Sequence, residues 1–291
     1  MKVGFIGLGN MGQAISGRIL DAGYDLVVYN RTRSKADELE KKGAKVAGSI
    51  AEACKGRDVV FTMLSDDKAL GQVVDGGLLE TLAKGAIHVP MGTHSVTALL
   101  ELKERHDAAG HLFVPAPVLG RPDAAAAGQL GIVPAGPKET VDRLEPLFKA
   151  CGRRTFYAGT NPAGAAAVKL ANNMVLGCAI EALAESFALT RKFDVDPHVF
   201  KEVLTDGLFA SPSYKVYANI IANEAYDKVG FSVHLGFKDS NLIMAAGQAA
   251  QVPLPSLNVF RDSLLEAFAH GEGDLDWSVM GRVRARAAGL D

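Results

Sequence analysis

The sequence predicts an α/β protein: an N-terminal doubly wound parallel sheet, then an all-α C-terminal domain, joined by a long interdomain helix. Three observations predict it. Through the first half, short apolar runs alternate with helical patterns, as in a parallel sheet crossed by helices. Gly7-Leu8-Gly9-Asn10-Met11-Gly12 falls between the first apolar run and the first helical pattern, where a G-x-G-x-x-G has structural meaning. Past about residue 160 the periodicity is helical only. The domains are set at 1–161 and 162–291.

The elements follow in order. Strands are expected at Lys2–Ile6, Asp25–Tyr29, Lys45–Ala47, Asp58–Met63, Ala86–Val89, Leu112–Ala116, Gly131–Ala135 and Arg154–Tyr157. Helical patterns lie between most of them, at Gln13–Ala22, Ser34–Lys42, Ile50–Cys54, Val96–Ala109 and Lys138–Cys151. Asn161-Pro162, Asp196-Pro197 and Ser211-Pro212 each put a capping side chain before a proline suited to the first helical position. Pro162–Arg191 reads as one helix of about 30 residues, roughly 45 Å long at 1.5 Å per residue. Further helices are expected near 197–204, 212–223, 234–250, 255–269 and 274–287.

Composition narrows the function classes. The chain has 291 residues, 48% of them hydrophobic, and a formal net charge of −2, which argues against nucleic acid as a main partner. Cys54, Cys151 and Cys178 are odd in number, widely spaced and without a metal-ligand pattern, so no metal is expected and buried thiols in a reducing cytosol are. The first six residues already read as a core strand, so no signal peptide is expected. Charge or glycine is expected to break every apolar stretch before the ~20 residues that a membrane span needs. These readings place the protein in the cytoplasm, off the membrane.

The glycine motif points to a dinucleotide. Gly7 permits the tight turn, Gly9 lets a pyrophosphate approach the backbone, and Gly12 lets helix pack on strand, a Rossmann-type arrangement. The helix that opens there offers unpaired N–H groups and a partial positive charge to the phosphates. The second strand ends in Asn30-Arg31-Thr32, with no acid where an NAD-selective site holds the ribose 2′-hydroxyl. Asn30 does not repel a 2′-phosphate, Arg31 can pair with one, and Thr32 adds a hydroxyl, so NADP(H) is the expected cofactor. The alternative for Arg31 is a solvated arginine in a polar turn. Met63 and Leu64, at the end of the fourth strand, complete the expected cofactor contacts.

Lys169 lies in the long helix among small or apolar residues, and Asn173, four residues on, shares its face. An ammonium so placed can approach a carbonyl and donate a proton to its oxygen, which carbonyl reduction by hydride requires. Taken alone, a lysine in a helix is more often a surface residue whose charged end reaches water.

The whole pattern resembles the β-hydroxyacid dehydrogenase family, which includes 3-hydroxyisobutyrate dehydrogenases, tartronate semialdehyde reductases and glyoxylate/succinic semialdehyde reductases. The resemblance covers nearly the whole chain. It runs through the glycine motif, Met91-Gly92-Thr93, Ala116-Pro117-Val118 with Gly120, Gly128-Gln129-Leu130, Gly164 to Asn173, Phe237-Lys238-Asp239 and Gly271 to Asp276. It implies that Lys169 is the catalytic acid, that Asn173 binds substrate, and that Thr93 and Lys238 reach the nicotinamide end of the cofactor. For Lys238 the alternative is a surface helix charge beside Asp239.

Two departures stand out. The family's substrate loop usually reads Asp-Ala-Pro-Val-Ser-Gly-Gly. Here Pro115 to Pro122 puts Leu119 where the serine stands and Arg121 where the second glycine stands, with Gly120 kept. Arg121 could clamp a substrate carboxylate or point to solvent as an ordinary loop arginine. The second departure is Pro90 to Val96, which keeps Thr93 and Ser95 of the family's Asp-x-Ser-Thr-x-Ser-Pro and adds His94, either incidental or catalytic. The expected function is NADPH-dependent reduction of a small carbonyl compound, a semialdehyde or 2-oxo acid. The alternatives are an imine reductase and a non-catalytic dinucleotide-binding module. The apolar helical half predicts a homodimer or homotetramer, with each active site between the nucleotide domain and the long helix.

Overall fold

The structure is a computed structural model that describes residues 1–290. The chain divides into two compact units, Met1–Lys169 and Leu170–Asp291. The division falls within the helix Pro162–Arg191, not at its start.

The first unit is built on six parallel strands: β1 (Lys2–Ile6), β2 (Asp25–Tyr29), β3 (Lys45–Val46), β4 (Val59–Thr62), β5 (Ile87–Pro90) and β6 (Leu112–Phe113). Their order is β3-β2-β1-β4-β5-β6, so the direction of winding reverses at β1 and β4. Both faces are covered, which is why the strands read as apolar runs without alternation. Val3, Phe5, Val28, Val59 and Phe61 pack in one cluster with Ile15, Ile19 and Leu144. Ile6, Val27 and Val60 pack in another with Ala53, Cys54 and Leu78.

Three expectations are corrected. Gly131–Ala135 and Arg154–Tyr157 do not extend the main sheet. Only the first two residues of each are in strands, β8 (Leu130–Ile132) and β9 (Gly152–Thr155), which start earlier and run parallel to each other, and β7 (Val118–Leu119) joins β8 antiparallel. The prolines at 115 and 117 hid this two-residue strand. A helix that the periodicity did not reveal, Asp67–Val73, follows β4. It runs into a widened turn, Val74–Leu78, where Gly77 takes φ 122°, and its glycines broke the pattern. The third concerns apolar length. Among the described residues, Pro162–Arg191 is long and apolar enough to cross a membrane by length and composition, because Gly164 and Gly177 lie inside it without ending it. Its Leu170, Ile180, Leu183, Ala184 and Phe187 belong to the core of the second unit, as in the core helix of a globular domain.

All three proline-marked helices start at their proline, but Ser211 makes no capping side-chain bond, and only the other two caps form. Asn161 Oδ1 accepts the Ala163 N–H at 3.0 Å and Asp196 Oδ1 accepts that of His198 at 2.8 Å. The second unit packs Pro197–Asp206, Pro212–Ala222, Val233–Ala249, Pro255–Ala269 and Met280–Ala287 with the later part of the long helix. Trp277, Phe260, Leu264 and Val283 are central to its core, and Trp277 Nε1 donates to Tyr217 Oη at 3.1 Å.

Candidate active site

The glycine loop closes the end of β1 by close backbone approach. Gly7 has φ +99°, and a Cβ there would stand 2.3 Å from Met63 O. A Cβ on Gly12 would stand 1.9 Å from Gly7 O, so only glycine lets this helix begin against the turn. Gly9 is the opposite case. It is exposed, and a Cβ on it would meet nothing within 4 Å. The helix Asn10–Asp21 starts within the motif, earlier than Gln13, and Gly9 caps it without a side-chain bond. Leu8 and Gly12 are buried, Met11 is half-buried and Asn10 is exposed. An open glycine at a helix N-terminus suits a pyrophosphate.

The end of β2 supports this loop. Asn30 Oδ1 accepts the Leu8 N–H at 2.9 Å, and Asn30 Nδ2 donates to Thr32 O at 2.9 Å. Asn30 is therefore a brace between two loops. No carboxylate stands at this strand end. The two arginines here differ. Arg33 is held by Asp37 at 2.5 Å and Glu40 at 2.6 Å. Arg31 and Thr32 are exposed, and among the described residues no hydrogen bond or ion pair engages the Arg31 guanidinium.

Met63, Leu64 and Thr93 join Gly7 at the same sheet edge, in the loops after β4 and β5. A Cβ on Gly92 would stand 2.4 Å from Leu64 O. His94 is 2% exposed, and its Nδ1 lies 3.2 Å from Asp67 Oδ1. Burial works to raise the Asp67 carboxyl, but bonds from His94 and Ser95 prevail and hold it at about 2.

Behind β5 runs a buried chain of three histidines that the sequence reading did not find. His111 Nε2 lies 2.8 Å from Leu82 O, a pure acceptor, so this nitrogen donates. The other senses then follow. His106 Nδ1 donates to His111 Nδ1 at 3.2 Å, His88 Nδ1 to His106 Nε2 at 2.9 Å, and Thr62 Oγ1 to His88 Nε2 at 3.0 Å. Every ring is satisfied while neutral. Burial first, then neighbouring histidines, push His88 well below its ordinary range and His106 to about 3.

On β7 and the turn after it, Leu119 stands opposite Gly131, and its Cβ would lie 3.3 Å from a Cβ on that glycine. Gly120 has φ +138° and Arg121, half-buried, precedes the helix Pro122–Ala126. Lys169 is half-buried one helical turn before Asn173, which is 6% exposed. Within the second unit, Asn173 Nδ2 donates to Asp239 Oδ2 at 2.6 Å, and Lys238 Nζ lies 2.9 Å from Asp239 Oδ1. Asp239 is 2% exposed and thus holds Asn173 and Lys238 together. Its neighbourhood to Lys238 was visible in the sequence; its bond across to Asn173 was not.

Burial pushes the Cys54 and Cys151 thiols up to about 12, and Cys178 upward as well.

Comparison with known proteins bears on the family and the fold that carry these residues. Residues 2–159 match the family described as the NAD binding domain of 6-phosphogluconate dehydrogenase. Residues 163–283 match that described as the NAD-binding of NADP-dependent 3-hydroxyisobutyrate dehydrogenase. The chain is 40% identical to the uncharacterized oxidoreductase YfjR of Bacillus subtilis (strain 168), over 96% of this chain and 98% of the relative. It is 35% identical to glyoxylate/succinic semialdehyde reductase 1 of Arabidopsis thaliana, over 96% of this chain and 97% of that one. The chain belongs to the β-hydroxyacid dehydrogenase family. A solved structure of Mycobacterium tuberculosis 3-hydroxyisobutyrate dehydrogenase with L-serine aligns at TM-score 0.87 and 28% identity, over 97% of this chain and 98% of that one.

Membership in the family makes the protein a nicotinamide-dinucleotide oxidoreductase acting on CH–OH groups of small molecules. The family's glycine loop is present with the open position that a pyrophosphate needs.

Proposed function

We propose that this β-hydroxyacid dehydrogenase is an NADPH-dependent reductase that converts a small carbonyl compound, a semialdehyde or 2-oxo acid, to the hydroxy acid. The observation that carries this reading is Lys169, half-buried among small residues and one turn from the buried Asn173. When bound, the reduced nicotinamide supplies a hydride. Lys169 donates the proton that neutralises the oxygen as charge develops on it. Asn173 Nδ2 gives one hydrogen to Asp239, and its second is the group that holds substrate. Gly120, Arg121 and Leu119 line the substrate side. Arg121 supplies a planar fork for a carboxylate where Leu119 supplies no hydroxyl. A relative named for glyoxylate and succinic semialdehyde supports a small substrate carrying both groups.

On the cofactor side, Gly7 to Gly12, Asn30, Arg31, Thr32, Met63, Leu64 and Thr93 of the first unit hold the dinucleotide, and the family resemblance is what gives Lys238 a part in it. The end of β2 supports NADP(H), since it lacks a carboxylate and Arg31 is exposed and uncommitted while Arg33 is tied to two acids. Exposed apolar residues of the second unit, including Val175, Phe193, Val203 and Leu208, support a homo-oligomer. Sedimentation equilibrium should give at least a dimer, and a species of single-chain mass would refute that part.

The test of the reaction is NADPH consumption with a panel of semialdehydes, 2-oxo acids and cyclic imines. Turnover on a carbonyl acid above all others is expected. Turnover on cyclic imines alone would replace the reading with imine reduction, and none on any member would remove it.

A further inference from the structure

One carboxylate oxygen ties together the two loops that follow β4 and β5. Asp67 opens the helix Asp67–Val73, directly after its cap Asp66, whose Oδ1 accepts the Ala69 N–H at 2.8 Å. Asp67 Oδ1 accepts from His94 Nδ1 at 3.2 Å and from the Ser95 N–H at 3.0 Å. Ser95 in turn caps Val96–Ala109, its Oγ accepting the Ala98 N–H at 3.0 Å. The bond to Asp67 puts a ring hydrogen on Nδ1.

That Nε2 atom is buried and has no hydrogen-bond partner among the described residues. A Cβ on Gly92 would stand 2.7 Å from His94 Nε2, so the ring folds back onto its own loop, beside Leu64 O. Leucine would fill this space without a buried, unpartnered polar atom and its desolvation cost. What histidine adds is the Nδ1–H bond that anchors the loop. The burial of Nε2 also argues against proton transfer to a ligand by His94 itself.

The fold says what the anchored loop faces. A doubly wound sheet has two mononucleotide-binding halves, and ligands lie beyond the carboxyl ends of the strands. The glycine loop belongs to the β1-β2-β3 half; Asp67 and His94 belong to the β4-β5-β6 half. We propose that His94 and Asp67 form a positioning pair for the nicotinamide mononucleotide half of the cofactor, by fixing the loop Met91–Ser95 against Leu64. The proposal rests on the dinucleotide reading of the sheet edge, and not on Lys169 or on the choice between NADP and NAD.

The test is fluorescence titration, with no turnover required, of the whole cofactor and of its own adenosine fragment. The pairs are NADPH with adenosine 2′,5′-bisphosphate, and NADH with adenosine 5′-monophosphate. His94→Leu should weaken the whole cofactor about ten- to a hundred-fold, the worth of a hydrogen bond to a charged group. Fragment binding should stay within about twofold, well under the tenfold step expected of a lost bond. His94→Asn, whose Nδ2 stands where the ring Nδ1 stood, should restore whole-cofactor binding. Should His94→Leu not fold, Asp67→Ala carries the same expectation. Unchanged cofactor binding in His94→Leu, equal weakening of cofactor and fragment, or failure of His94→Asn to restore binding would each overturn the proposal. Failure of both fragments to bind the native protein would instead strike at the dinucleotide reading beneath it.

Discussion

The two halves of the six-stranded sheet solve their end-of-strand problem differently. Around β1 and β2 the loop is made by removing atoms: Gly7 and Gly12 close it by backbone contact, Gly9 leaves it open, and one amide, Asn30, braces it. Around β4 and β5 the loops are fixed by titratable side chains, with Asp67 holding His94 and Ser95, and Thr62 starting the buried histidine chain. The loop of the first half depends on shape. The second depends on protonation states, imposed on His88 and His106 by burial and on Asp67 by the hydrogen bonds it accepts.

The largest effect that would test this contrast is on stability against pH. His88 and His106 both hold folded-state pKa values below the ordinary 6.5. The unfolded rings take up protons that the folded rings refuse. Stability is therefore complete above about pH 6.5 and falls as the pH drops below it. Two such groups should cost roughly 4 kcal/mol between about pH 7 and pH 5. Denaturant midpoints measured across that range should fall steadily, and a flat profile would contradict neutral burial. Asp67, held at about 2, acts in a lower window, losing its contribution only below its ordinary pKa of 3.8.

Gly12→Ala should come next. The new Cβ would press on Gly7 O, a backbone atom that cannot swing away, and overpacking of this kind costs about 1–3 kcal/mol or more. Thermal unfolding should show that loss, with cofactor affinity reduced in the same variant. Native stability and affinity in Gly12→Ala would mean that the loop is looser than its contacts imply.

Arg31→Ala is a smaller change on the same side. It should raise the KM for NADPH about ten- to a hundred-fold, from the loss of charge-assisted bonds worth roughly 1.5–3 kcal/mol, and leave the KM for NADH nearly unchanged. Equal or better kinetics of the native protein with NADH would remove the NADP reading.

The same contrast explains what could be read from the sequence. The glycine loop was legible because its parts are consecutive and each glycine answers a local steric demand. Strands β1, β2, β4 and β5 were legible because burial on both faces leaves continuous apolar runs. The helix Asp67–Val73 was not, since Gly71 inside it and Gly76 and Gly77 in the turn after it break the pattern, and with it Asp67 went unseen as the partner of His94. The histidine chain draws on β4, β5, the helix Val96–Ala109 and the segment leading into β6, so no spacing along the chain announces it. In the second unit, Asn173 stood out by its place four residues after Lys169, but Asp239, sixty-six residues further on, became its partner only through the packing of two helices.

The account's central claim is that Lys169 supplies the proton to the reduced carbonyl. The direct test compares Lys169→Ala with the native protein on the best carbonyl substrate of the panel, with NADPH binding followed by fluorescence in both. Turnover should fall about 10²–10⁴-fold, the usual worth of general acid catalysis, while NADPH binds near native strength. A variant that keeps half its turnover on every carbonyl tested would contradict the claim.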